Sequence, residues 1–168
     1  MIHIETIELA SSAASITFSS IPQDYTDLVL AFAIRSDDNG FAALNINSST
    51  SNFTGIGLQG NGSSASSFSR TDSFFGYIQA TTDTANTFGN GQIYISNYTA
   101  SAAKSISIDV VTENNATGAN QVIYAGLWNQ TAAINSVGIE PLSAGVDFVA
   151  GSTISLYGIT AGGSGTVS

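Results

Sequence analysis

His3 is the only imidazole in this chain, and twelve carboxylates stand against three cations, Arg35, Arg70 and Lys104. These are the groups from which acid–base or nucleophilic chemistry would have to be assembled. A Ser–His–Asp arrangement needs an imidazole held by a carboxylate beside a nucleophile, and nothing around His3 in the sequence suggests one. It reads as a surface histidine on the first strand. Glu5, Glu8, Glu113 and Glu140 could in principle pair as the two acids of a glycoside hydrolase, but they fall at alternate-face or strand-end positions expected to face solvent. Asp37-Asp38-Asn39-Gly40 looks superficially like a calcium loop, yet it lacks the alternating ligands and the later Glu of an EF-hand. The expectation there is a hairpin turn, with a weak calcium site between loops, drawing on Asp72, Asp83 or Asp147, as the alternative. No catalytic, cofactor or metal residue is assigned, and the chain is expected not to be an enzyme.

Neutral groups are more plentiful. Trp128, Tyr77, Tyr94, Tyr98 and Tyr124 could form a sugar-stacking platform with neighbouring Asn and Gln. Aromatics in β-proteins more often fill the core or pair across strands, and Trp128 and Tyr124, both within Val122–Trp128, are expected in the core. Gly55-Ile56-Gly57 and Gly89-Asn90-Gly91 lack the strand–glycine–helix context and the following Lys of a phosphate loop, and read as turn or bulge glycines. Asn52-Phe53-Thr54, Asn97-Tyr98-Thr99 and Asn129-Gln130-Thr131 match the glycosylation sequon, as chance does readily in a chain rich in Ser, Thr and Asn.

The elements that must position these groups are strands. Ser105-Ile106-Ser107-Ile108-Asp109-Val110 alternates apolar and polar residues, as do Ala42–Asn47 and Gln92–Ser96, the mark of strands with one buried and one wet face. Leu28–Ile34 is continuously apolar and suits a central strand covered on both faces. Breaks in the pattern predict strands near 2–9, 14–19, 27–36, 41–47, 53–59, 74–80, 90–96, 104–113, 120–128, 134–140 and 152–159, with one short helical turn around Ala100–Ala103. Short strands at near-regular spacing with Gly-rich turns indicate an all-β fold, an antiparallel jelly roll or β-sandwich with minimal helix. The expected organisation is one domain over residues 1–160, with residues 1–12 as an N-terminal arm or extra strand and 161–168 as a flexible tail. Ser48–Ser73 is the most loop-like stretch, a flexible insertion or contact arm.

Composition narrows the function. Only 9% of the 168 residues are charged, the formal net charge is −9, and there is no cysteine. Three cations cannot make a phosphate-neutralising patch, so neither nucleic acid nor an anionic membrane is expected as a partner. Disulfides and thiolate metal sites are excluded. The start, Met1–Thr6, lacks the pattern of a signal peptide, and no run approaches the ~20 apolar residues of a spanning helix.

Ser19-Ser20-Ile21-Pro22-Gln23-Asp24-Tyr25-Thr26-Asp27-Leu28-Val29-Leu30 resembles a phrase common in virion proteins of tailed phages, particularly aquatic ones: a strand, then IPxxYxDL, then an apolar strand. Leu44-Asn45-Ile46-Asn47, Ile95-Ser96-Asn97-Tyr98 and Gly151–Ile159 resemble further segments of such proteins, in the same order. One departure is Ala42-Ala43, where similar sequences often carry a basic residue. The resemblance implies a virion structural protein on the capsid exterior, made in the host cytoplasm. Its type would be a capsid cement or decoration protein whose partners are the major capsid protein and its own copies, as a trimer. A tail or head-fibre module that binds host glycans is the alternative. Within the phrase, Pro22 is expected to fix φ and break pairing so that Ile21–Asp27 crosses between sheets, with Tyr25 against the core and Asp24 and Asp27 capping the turn.

Overall fold

The computed structural model describes residues 1–38, 40–113 and 118–160. The expected tail at 161–168 and Asn39 of the Asp37–Gly40 turn lie outside the described residues. Among the described residues twelve strands form: β1 (Ile2–Glu8), β2 (Ile16–Phe18), β3 (Asp27–Ile34), β4 (Phe41–Ile46), β5 (Phe53–Gly60), β6 (Ala65–Arg70), β7 (Phe74–Tyr77), β8 (Gly89–Ile95), β9 (Lys104–Thr112), β10 (Asn120–Trp128), β11 (Val137–Pro141) and β12 (Thr153–Ile159). They build two antiparallel sheets, ordered β1-β12-β3-β8-β9-β10-β5-β6 and β2-β11-β4-β7, packed as a β-sandwich in a single domain.

All eleven predicted runs are strands, and the expected all-β class holds. Set β5–β6 and β9–β10 aside as inserted hairpins and number the other eight strands in chain order. The large sheet then begins 1-8-3-6 and the small sheet is 2-7-4-5, the interleaved pairing of a jelly roll. The two hairpins extend the large sheet beyond β8. The expected N-terminal arm or extra strand is β1, the first strand of the roll, paired with β12.

Alternation builds the core. Leu28, Leu30, Phe32 and Ile34 of β3 point inward and are buried, and meet Leu44, Ile46 and Phe75 of the small sheet in one cluster. The expectation that β3 is covered on both faces holds only in part. Val29 is buried on the outer face, in register between Tyr157 and Tyr94, but Ala31 and Ala33 beside it are half-buried, and the described residues place no third layer over them. The predicted helical turn at Ala100–Ala103 is a turn only, closed by Ala100 N–H on the Asn97 carbonyl at 3.0 Å.

Two further expectations are corrected. Asp37–Gly40 joins β3 of the large sheet to β4 of the small one, so it is a crossing between sheets and not a hairpin. Ser48–Ser73 is not a loop: residues 53–70 form the β5–β6 hairpin in continuous register, turned at Asn61–Ser64, where Asn61 Oδ1 accepts the amides of Ser63 and Ser64. The Ile21–Asp27 crossing is as expected. It passes from β2 to β3, tied by Ile21 N–H to the Asn135 carbonyl at 3.0 Å and by the Tyr98 hydroxyl to the Pro22 carbonyl. The Tyr25 ring lies over Gly158, where a Cβ would come within 2.3 Å of it. Asp27 caps a different turn from the one expected, accepting from Asn97 N–H at 2.8 Å and the Tyr94 hydroxyl at 2.7 Å.

Candidate functional site

The three cations serve the scaffold. Lys104 is 1% exposed, and its ammonium donates to the carbonyls of Ala100 (2.7 Å), Ala102 (2.6 Å) and Ala132 (2.9 Å), 5.9 Å from the Trp128 ring centroid. It pins two loops to the end of the sheet, and burial pushes it below its ordinary value. Arg35 does the same for residues 83–87, donating to the carbonyls of Asp83, Thr84 and Thr87. Arg70 pairs in two-pronged fashion with Asp72 and lies 4.7 Å from the Phe74 ring centroid. The Arg70 hydrogen bond holds the Asp72 carboxyl below the usual range.

The candidate acid–base groups do not converge. His3 does gain neighbours from the fold: Nε2 is 2.8 Å from Thr6 Oγ1, which is 2.8 Å from Ser155 Oγ. This chain of polar groups runs from the edge strand β1 to its neighbour β12 on an exposed face. Glu5, Glu8 and Glu113 are exposed, and Glu140 accepts from Asn45 on the small sheet. Of the calcium candidates, Asp37 and Asp147 meet, Asp37 Oδ1 accepting the Asp147 amide at 2.9 Å. Asp72 is committed to Arg70, and Asp83 Oδ2 accepts the Ala80 amide at 2.7 Å. Among the described residues no group of three or more His, Cys, Asp or Glu could hold a metal.

The aromatic candidates divide. Trp128, Tyr124 and Tyr98 are buried, the first two as expected. Tyr94 sits on the outer face of the large sheet bonded to Asp27, and Tyr77 is half-buried at the far end of the molecule, so no five-ring platform exists. The sequon asparagines Asn52 and Asn97 occupy left-handed backbone, φ +67° and +48°, which asparagine tolerates better than most residues.

Two surfaces remain, both built by the inserted hairpins. On the outer face, Ile56 and Leu58 of β5 are 66% and 63% exposed, beside Ile123 and Leu127 of β10. Leu58 stands opposite Ile123 and Ile56 opposite Ala125, giving a continuous aliphatic strip with Asp109 of β9 at its border. On the inner face, β5 presents glycines. A Cβ at Gly55 would lie 2.3 Å from the Tyr124 hydroxyl, and one at Gly57 2.4 Å from the Phe68 ring. These are seats for rings within a regular strand, not the expected turn or bulge glycines. Gly91 is likewise within β8, where a Cβ would meet the Asp109 carbonyl at 2.4 Å.

Where the edge of the small sheet (β7) meets the edge of the large one (β5–β6), Phe41, Phe68, Phe74 and Tyr77 border a groove of about 230 Å³, with Gln59, Ser69 and Arg70. Phe41 and Tyr77 pair across β4–β7 with ring centroids 5.3 Å apart. The Tyr77 hydroxyl donates to Gln59 Oε1 at 2.9 Å. The sequence carried little signal for this site, because Phe41 and Gln59 belong to strands whose meeting depends on the topology.

Comparison with known proteins yields no matching family, no matching curated protein and no matching solved structure.

Proposed function

We propose that this chain is a structural protein of a phage virion, a cement or decoration protein bound to the capsid exterior and assembled as a symmetric homo-oligomer, a trimer, on the major capsid protein. The observation that carries the reading is the aliphatic strip of Ile56, Leu58, Ile123 and Leu127, which stands on hairpins added to a roll that pairs fully without them. Exposed aliphatic side chains gathered in register, with the Asp109 carboxylate at the border, suit a contact made by shape and apolar burial. The resemblance of the IPxxYxDL phrase, Ile21–Leu28, to segments of tailed-phage virion proteins points to the same class.

Repeated symmetrically, such weak neutral contacts would hold neighbouring capsid subunits against the pressure of packaged DNA through multivalency. Cryo-electron microscopy of intact particles tests this. The expected result is density for the sandwich on the outer shell with the strip turned toward a neighbour, and density on the tail alone overturns it. Particles lacking the protein should also become fragile to heat.

A further inference from the structure

We propose that the groove between β7 and the β5–β6 hairpin is a binding subsite for one uncharged pyranose ring. The inference is independent of where on a particle the protein sits.

The groove combines an aromatic surface with polar groups of fixed orientation. Phe41 is 39% exposed although it packs against Tyr77 and Phe74, so part of a large ring is offered to solvent on a rigid aromatic base. The C–H face of a sugar ring is apolar, and an aromatic surface of this kind is what it can cover. Hydroxyls at the rim of a sugar need donors and acceptors held in place. Gln59 gives its Oε1 to Tyr77, which leaves its Nε2 hydrogens as donors, and this bond fixes the plane of the amide. Arg70 uses Nε and Nη2 on Asp72 and retains Nη1, in a guanidinium that can neither rotate away nor lose its proton. Ser69 adds a hydroxyl. A groove of about 230 Å³ falls below the ~300–1,000 Å³ of pockets that enclose drug-sized ligands, and fits a single ring lying across it.

Charge selects against the other ligands that aromatic grooves take. The charge of Arg70 is matched by Asp72 in a chain of net charge −9, so a phosphate or carboxylate finds no excess cation. A quaternary ammonium needs open space among ring faces. Here Phe41 and Tyr77 touch each other, and Arg70 already lies over Phe74.

Saturation-transfer NMR on the full chain tests the proposal, with the methyl glycosides of glucose, galactose, mannose and N-acetylglucosamine as probes. The expected result is transfer to the ring C–H protons of at least one of them. Phe41→Ala should weaken that binding at least tenfold and Gln59→Ala several-fold, while Leu58→Ser, on the opposite face of β5, leaves it unchanged. Unfolding temperatures of Gln59→Ala and Leu58→Ser should match the parent, so a folding defect in Phe41→Ala would not mask the outcome. Transfer to none of the four glycosides overturns the proposal. So does transfer that survives both groove substitutions.

Discussion

At the scale of single residues, Lys104 is a buried cation whose partners are carbonyls and not a carboxylate. Lys104→Met keeps the stem and removes the donors, leaving carbonyls of two loops without their partner. The expected loss is about 1–3 kcal/mol, read as a fall in unfolding temperature of roughly 2–4 °C per kcal/mol. Tyr124 is the opposite case. Its hydroxyl is buried without a hydrogen-bond partner among the described residues, so Tyr124→Phe should leave stability unchanged or raise it by up to about 1 kcal/mol, and a clear loss in denaturant titration would count against the packing described. The Arg70–Asp72 pair makes a pH prediction. Asp72 is held below its ordinary value of 3.8, first by the Arg70 hydrogen bond, so the folded form binds that proton less well than the unfolded one. The pair's contribution is complete above about pH 3.8 and is lost as pH falls through the lowered value. Asp72→Asn should therefore flatten the acid limb of the stability curve.

Elements show how much a sequence of this kind discloses. Ile106, Ile108 and Val110 announce β9 by alternation alone. β6 was invisible for the opposite reason: Phe68 is its single large apolar residue, among Ser66, Ser67 and Ser69, which resemble loop. Its pairing is imposed by β5 and by the aromatic cluster that Phe68 joins, stacked on Tyr124 at 5.9 Å. The Asp37–Gly40 error has a similar origin, since turn chemistry reports a change of direction and not which sheet the next strand enters. Of the aromatic groove only Tyr77 is legible in the sequence, because its partners come from three other strands. The in-strand glycines yield a ranked prediction. Gly91→Ala drives a methyl toward a backbone carbonyl that cannot yield, whereas Gly57→Ala meets the edge of the Phe68 ring, which can. Overpacking of this sort costs about 1–3 kcal/mol, and Gly91→Ala should be the more damaging by thermal unfolding.

For the whole molecule, a surface with so few charges predicts contacts that ions barely screen. Retention of the protein on purified particles should change little between low and high salt, while Ile56→Ser combined with Ile123→Ser should release it without altering its own stability. Retention that falls steeply with salt would put the binding on the acidic surface instead. The pairing of β1 with β12 carries a consequence of a different kind, one of timing. Among the described strands, β1 waits for β12, more than 140 residues later in the chain, with β3 on the far side of β12 waiting beside it. Contacts so distant along the chain make folding slow, on the order of milliseconds to seconds for all-β topologies. Until synthesis has passed Ile159, the apolar face of β3 has no finished sheet to lie in and is open to wrong partners, including nascent copies of itself.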